Sequence, residues 1–188
     1  MVEQLINIDI NFTLFLNGMH NSFFDFIMFY ISNKFIWIPF YLFLIFLLFK
    51  KAENKKQIGV FLGAIVITIF LADKISVHLF KNVFERLRPC HNQDITNIIH
   101  TVKNHCGGQY GFISSHASNV FALAVLLFNI FDNKKLKYTL IVWAIVVSYS
   151  RVYLGVHFFG DVFTGAIVGA IIGFSVAKLA KYTLNRIS

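Results

Sequence analysis

The sequence predicts an all-α, polytopic membrane protein, a bundle of about five transmembrane helices preceded by an N-terminal interfacial helix. Of its 188 residues, 57% are hydrophobic and only 14% are charged, which is far more apolar than a soluble domain. Several apolar runs approach or reach the length that crosses a bilayer. Clusters of lysine and arginine lie between these runs, as in the loops of membrane proteins.

The first 34 residues are predicted to form one or two interfacial helices rather than a span. Residues 5–32 alternate apolar and polar side chains at helical spacing, with a break at Asn17 and Gly18. Acidic residues stand where a cleavable signal peptide carries positive charge, so no such signal is expected. We therefore expect an interfacial segment, 1–34, and one membrane domain, 35–188.

The membrane domain has recognisable helix ends and one recognisable helix contact. Trp37 lies near the start of the first span as an interface anchor, and Pro39 lies in the first turns, where proline is tolerated. Gly165, Gly169 and Gly173 repeat every four residues in the last span, a spacing that lets helices approach closely. The predicted spans are 35–50, 57–86, 116–131, 137–154 and 157–181.

The basic residues predict how these spans are oriented. The net charge of +8 could indicate nucleic-acid binding, but its position in the chain favours a positive-inside signal instead. With five spans, the basic segments all lie on one face of the membrane, which is then the cytoplasmic face. The polar loop 90–115 lies on the opposite face. The basic segments comprise Lys50, Lys51, Lys55 and Lys56, then Lys134, Lys135 and Lys137, then Lys178, Lys181 and Arg186.

The polar loop contains both cysteines, Cys90 and Cys106. Disulfides persist outside the cytoplasm, so a Cys90–Cys106 bridge is the favoured interpretation. A zinc site with His91 and His105 is the alternative, because two Cys and two His form a tetrahedral ligand set.

A first polar motif follows the second apolar run. Lys81 and Arg88 are seven residues apart, so on a helix they share a face, and both donate hydrogen bonds suited to phosphate oxygens. Lys74, His78 and Glu85 extend the same stripe, which we expect to form a wall of a polar cavity. Lys74 and His78 are expected either to contact a second phosphate or to stabilise Asp73, with an Asp73–Lys74 pair favoured. The alternative for the cations is snorkelling at the interface.

Two further motifs precede apolar helices. Ser114, Ser115 and His116 stand at a predicted helix N-terminus, which offers N–H groups to an anion and also favours a serine cap. His157 and Asp161 are four residues apart on the last helix, so the carboxylate can fix the imidazole tautomer. Arg151 lies six residues before His157, across Gly155.

Together these motifs resemble those of the type 2 phosphatidic acid phosphatase family, histidine lipid phosphatases that share a core with vanadium haloperoxidases. The family pattern is K-x6-RP, PSGH and SR-x5-H-x3-D, and the first and third motifs match in full. The second reads Ile113-Ser114-Ser115-His116, which keeps the histidine and a backbone N–H but lacks the rigid proline. The resemblance covers residues 58–175 and none of the first 34.

The resemblance implies a role for each motif residue. His157 would attack phosphorus and form a phosphohistidine, Asp161 would orient it, and His116 would protonate the leaving group and then activate water. The phosphoryl oxygens would be held by Lys81, Arg88, Ser114, Ser115 and Arg151, with no metal or other cofactor.

The expected function is hydrolysis of an envelope-lipid phosphate or diphosphate at the extracytoplasmic face of a bacterial inner membrane. Candidate substrates are undecaprenyl pyrophosphate, lipid A, phosphatidylglycerophosphate and phosphatidic acid. The alternatives are a lipid phosphotransferase that uses the same phosphohistidine and a noncatalytic binder or transporter of anionic lipids. The expected partners are the phosphorylated lipid and the bilayer, without nucleic acid.

Overall fold

The computed structural model of the protein describes residues 2–103 and 106–187, and the side chains of all of these except Ile187. The described residues form helices and loops without a β-strand. The helices are α1 (Val2–Asn17), α2 (Ser22–Ile31), α3 (Ile38–Lys51), α4 (Lys55–Ile75), α5 (Asn82–Phe84), α6 (Ser115–Ile130), α7 (Lys134–Tyr153) and α8 (Phe159–Ile187). Short 3-10 turns cover Lys34–Trp37 and Pro89–His91.

Helix α6 lies at the centre of the bundle and packs against α4, α7 and α8. Its contact with α8 is backbone to backbone, because a Cβ placed at Gly169 would collide with the Ser118 carbonyl oxygen, and one at Gly173 with that of Ala122. The predicted glycine seam of the last helix is thus confirmed as the surface where two helices meet most closely.

Two helical stretches, Lys55–Phe84 and Phe159–Arg186, are long and apolar enough to cross a membrane. Ser22–Ile31 and Lys34–Lys51 meet the same criterion as a pair, bent by 66° at the break between them. Large apolar side chains such as Val66, 67% exposed, face outward where a lipid surface accommodates them. The predicted fold class, an all-α membrane bundle, is confirmed, whereas the count of five spans stays a prediction.

Helix α1 shows an inverted amphipathic pattern. Leu5, Ile8 and Phe15 are each more than 60% exposed, whereas the polar Thr13 and Asn17 are buried against the bundle. The Thr13 hydroxyl accepts a hydrogen bond from Phe159 N–H at 2.9 Å, which caps one free amide at the start of α8. A lipid surface favours apolar side chains on the outside of the bundle. The polar side chains on the inner face of α1 attach this helix to α8.

The helix predicted over 57–86 is interrupted, and this corrects the predicted polar stripe. Regular α-helix ends at Ile75, a π-helical turn covers Ser76–Lys81, and Glu85 adopts a left-handed φ of 46° that terminates the helix. The extra residue in a π turn changes which side chains of this helix point into the bundle. Asp73, Val77 and Lys81 line the interior cavity. Lys74, His78 and Glu85 are exposed instead.

The loop between α5 and α6 contains the favoured Cys90–Cys106 disulfide, with the two Cα atoms 6.0 Å apart. Nε2 of His91 lies 3.4 Å from the Gly107 carbonyl oxygen, beside the bridge. The alternative zinc ligand His105 lies outside the described residues.

Candidate active site

A cavity of about 800 Å³ opens between α3, α4, α6 and α7, and residues of all three motifs line one end of it. The remaining wall is mostly apolar and is formed by the core helices. At the motif end the lining side chains include Lys81, Arg88, Ser115, His116, Arg151 and His157. The predicted convergence of the three motifs on one site is therefore present in the structure.

Arg88 reaches this site from extended backbone rather than from the helix that the spacing predicted. Arg88 N–H donates to the Gln109 carbonyl at 3.1 Å, and Gly111 N–H donates to the Arg86 carbonyl at 2.8 Å. Side chains two apart in extended backbone point the same way, and Arg86 and Arg88 both contact residues between 156 and 161. This pairing of segments, and not helical periodicity, brings Arg88 to the site.

The Arg88 guanidinium is buried against the His157 ring. Its NH1 lies 3.1 Å from Nε2 of His157 and donates to the Val156 carbonyl at 3.0 Å. Burial lowers the pKa of Arg88 from its usual value, and Asp161 opposes that shift. An arginine guanidinium is not deprotonated in proteins, so Arg88 stays a cation.

His157 and Asp161 form the predicted pair at the start of α8. Nδ1 of His157 lies 3.4 Å from Oδ2 of Asp161, and the same oxygen accepts from Phe158 N–H at 3.0 Å. Both side chains are almost completely buried. With Nδ1 facing the carboxylate, Nε2 is the ring nitrogen that faces Arg88 and the cavity.

Ser115 and Lys81 form a second polar contact at the cavity end. Lys81 Nζ donates to Ser115 Oγ at 2.8 Å, and Ser76 Oγ lies 2.8 Å from the same oxygen. Ser114 has another position: its hydroxyl accepts from Ala117 N–H at 3.5 Å as the cap of α6, and its own N–H donates to the Asp161 carbonyl at 2.9 Å. Ser114 is fully buried and is not among the residues that line the cavity.

His116 and Arg151 complete the cavity end from α6 and α7. Arg151 is 8% exposed, and its NH1 donates to the hydroxyl of Ser32, at the break between α2 and α3. Lys34, two residues further on, also lines the cavity. Segment 1–34, which the sequence predicted to be interfacial, therefore contributes to the site, and the sequence did not predict that contribution.

Arg86 and Asp9 are two further site residues that sequence reasoning missed. Arg86 NH1 donates to Asp161 Oδ1 at 2.9 Å, and NH2 donates to Asp9 Oδ2 at 2.7 Å. Neither residue belongs to the three motifs from which the sequence predicted the site. The signal that could have found the pair is the Asp9 carboxylate between Ile8 and Ile10, since a charge among apolar residues is costly unless paired.

Lys74 and His78 do not reach this site. The Lys74 ammonium lies 6.0 Å from the centre of the Phe70 ring, on the exposed surface of α4. Neither residue lines the cavity, so the contact with a second phosphate is not supported.

The chain is similar to several known proteins. Residues 57–184 match the PAP2 superfamily. The lipid A 4'-phosphatase of Porphyromonas gingivalis is 36% identical over 187 residues, which are 98% of this chain and 78% of that protein. The undecaprenyl-diphosphatase BcrC of Bacillus subtilis is 26% identical over 155 residues, 82% of this chain and 74% of that protein.

The fold also resembles that of a solved structure. The PAP2-type phosphatidylglycerolphosphate phosphatase of Bacillus subtilis superposes with a TM-score of 0.74 at 18% identity, covering 95% of this chain and 87% of that one. The resemblance predicted from the three motifs is confirmed by these matches.

Proposed function

The chain belongs to the PAP2 superfamily, and from that premise we propose that it is an integral membrane phosphatase that removes phosphate from a lipid phosphomonoester or diphosphate through a phosphohistidine. The observation that carries the proposal is the cavity itself. One end holds two histidines and the three motif cations Lys81, Arg88 and Arg151, and the other end is an apolar space among the membrane helices. That combination fits a molecule with a phosphate at one end and hydrocarbon at the other.

In the first step, Nε2 of His157 attacks phosphorus. Asp161 accepts from Nδ1–H and so keeps the lone pair on Nε2. The P–O bond to the lipid breaks as the P–N bond forms, and His116 gives its proton to the departing oxygen. The lipid alcohol leaves, or the lipid monophosphate when the substrate is a diphosphate, and the phosphoryl group stays on His157.

In the second step, neutral His116 takes a proton from water as that water attacks the phosphohistidine. The P–N bond breaks, inorganic phosphate leaves, and His116 is again protonated for the next cycle. Arg88, Lys81 and Arg151 line the cavity where the phosphoryl oxygens would lie. Their positive charge stabilises the transition state in the way that a metal ion does in other phosphatases, so we expect turnover to survive a chelator.

We also propose a bacterial inner membrane with this site on its extracytoplasmic face. Lys51 Nζ lies 2.5 Å from Asp132 Oδ2, so the basic loop after α3 and the loop before α7 meet at the bundle end opposite the cavity's charged residues. Positive loops favour the cytoplasmic side. The disulfide lies at the other end, where oxidising conditions favour it.

Phosphate release from purified protein in detergent tests the activity. The panel contains lipid A, undecaprenyl pyrophosphate, phosphatidylglycerophosphate and phosphatidic acid, each with a chelator present. We expect turnover that His157→Ala abolishes and that His78→Ala, a change of an exposed histidine outside the cavity, leaves intact. Equal activity of the wild type and the His157→Ala variant would contradict the phosphohistidine.

A further inference from the structure

Two histidines and an aspartate meet at a place that the three motifs do not use. His20 lies in the link between α1 and α2, Asp25 lies in the first turn of α2, and His100 lies in the loop between α5 and α6. One nitrogen of each ring and one carboxylate oxygen all lie within 4.8 Å of one another. None of the three residues lines the cavity of about 800 Å³, so this cluster is separate from the proposed active site.

The three side chains already have nearly the spacing of a metal-ligand set. Nε2 of His100 lies 3.0 Å from Oδ1 of Asp25. The rings of His20 and His100 are stacked, with their centres 3.7 Å apart and an angle of 7° between their planes, so each ring can present an edge nitrogen on the same side. In a tetrahedral zinc site with bonds of about 2.1 Å the ligand atoms lie about 3.4 Å apart, and small side-chain rotations would reach that spacing.

The backbone of His100 is held independently of its ring. Its N–H donates to Asn17 Oδ1 at 2.8 Å, and its carbonyl accepts from Asn17 Nδ2 at 3.0 Å. The same carbonyl lies against the turn at Gly155, where a Cβ would come within 2.5 Å of it. Contacts that do not depend on a metal ion therefore place the His100 ring beside α2.

A tyrosine orients the carboxylate of the cluster. The Tyr153 hydroxyl donates to Asp25 Oδ1 at 2.8 Å and accepts from Asn21 N–H at 3.1 Å. Carboxylates that bind metal ions are themselves hydrogen-bonded by neighbouring groups, which fix their direction. Tyr153 supplies such a hydrogen bond to Asp25.

Solvent reaches the cluster, so an ion can enter it. His20 is exposed, and the side chains of His100 and Asp25 are 24% and 23% exposed. Three protein ligands on a solvent-accessible surface leave the fourth tetrahedral position to water. Two imidazoles and one carboxylate favour zinc over magnesium and calcium, which prefer oxygen ligands.

We propose that His20, Asp25 and His100 bind one zinc ion, with water as the fourth ligand. The ion joins the segment between α1 and α2 to a loop that lies 75 residues further along the chain. The unfolded chain does not hold these ligands together, so binding stabilises the folded protein. The ion takes no part in the proposed hydrolysis, and turnover that survives a chelator remains the expectation.

The test is equilibrium dialysis of zinc against the full chain, purified in detergent without a polyhistidine tag and with its disulfide intact. We expect one zinc ion per chain in the wild type. His20→Phe keeps a ring stacked on His100 but removes a ligand, and it should weaken binding by about tenfold or more. Asp25→Asn, which keeps an acceptor for Tyr153, should do the same. Zinc at 100 times its Kd should raise the Tm of the wild type by about 5–10 °C and that of either variant much less.

His78→Phe is the matched control, because His78 is also exposed but lies outside the cluster. This variant should bind zinc as the wild type does. His91→Phe tests the other group of possible ligands, Cys90, His91 and Cys106, whose sulfurs are joined in the disulfide. Zinc binding that is lost in His91→Phe but retained in His20→Phe would overturn the proposal, as would a wild type that binds no zinc.

The zinc site and the proposed phosphatase stand or fall separately. Dialysis needs no turnover, so an inactive protein that binds zinc would support the site and count only against the enzyme. An active protein that binds no zinc would overturn the site alone.

Discussion

The Arg86 guanidinium donates to Asp161 Oδ1 at 2.9 Å, while Oδ2 of the same carboxylate faces His157. Asp161 is fully buried, so its charge depends on such donors. Arg86 is itself held by Asp9 of α1 and by the face of the Phe158 ring, 4.1 Å from its central carbon. Asp9 also accepts from Gly160 N–H at 2.7 Å. Helix α1 is thus connected through Arg86 to the proposed nucleophile.

Arg86→Met is expected to lower kcat by about 10- to 150-fold, the loss of one charged hydrogen bond worth about 1.5–3 kcal/mol. KM should change little because Arg86 does not line the cavity. Arg86→Lys keeps the charge and should restore part of the rate. Steady-state kinetics and the pH profile of both variants check this positioning role.

The control for Arg86 is an ion pair at the other end of the bundle. Lys51→Met removes the Lys51–Asp132 contact, in which Asp132 is 88% exposed. Exposed pairs contribute little, so kcat should be unchanged. A rise in KM with unchanged kcat in Arg86→Met would contradict a positioning role and indicate substrate contact.

A second prediction concerns Asn17, which is 2% exposed at the end of α1. Its amide donates to the carbonyls of His100 and Tyr153 at 3.0 and 2.7 Å and accepts from His100 N–H at 2.8 Å. Asn17→Leu leaves these backbone groups unpaired, at a cost of about 1–3 kcal/mol each. We expect a clearly lower Tm in detergent, whereas Asn129→Leu, which removes only a contact within α6, should lower it less.

A third prediction tests the seam between α6 and α8. Gly169→Ala would push a methyl group into the Ser118 backbone, which cannot move without displacing the start of α6. Little folded protein should be recovered after detergent extraction. Gly59→Ala on α4 meets nothing within 4 Å and should behave like the wild type in size-exclusion chromatography. Normal yield of Gly169→Ala would show that the helices can separate locally.

The motif residues could be predicted from the sequence, whereas part of their geometry could not. Four-residue spacing was enough to pair His157 with Asp161, although His157 lies two residues before the first residue of α8. The same reasoning failed for Lys81 and Arg88, since Lys81 ends a π turn and the left-handed Glu85 ends the helix before Arg88. Asp9 and Ser32 were missed because their contacts are long-range and follow from how α1 and α2 pack, which no local spacing encodes.

A fourth prediction follows from the opposite protonation states that the two histidines require. His157 must be neutral to attack, so kcat/KM should fall at low pH as it gains a proton. His116 must be protonated to release the lipid, so the rate should also fall at high pH as it loses one. We expect a bell-shaped profile that loses its alkaline limb in His116→Gln. A flat profile in wild type from acid to strongly alkaline pH would contradict these two roles.

The last prediction concerns the Cys90–Cys106 bridge, which closes 16 residues of the loop beside the cavity. Gly107, next to Cys106, lies against the Arg88 guanidinium: a Cβ there would be 3.6 Å from its central carbon. Opening the bridge releases this segment of the loop and should lower lipid affinity. The free energy of unfolding should fall by about 3 kcal/mol because the unfolded chain gains loop entropy. Reduction of the wild type should raise KM and lower Tm. The Cys90→Ser/Cys106→Ser variant should show both changes without reductant. Adding reductant to that variant should have no further effect.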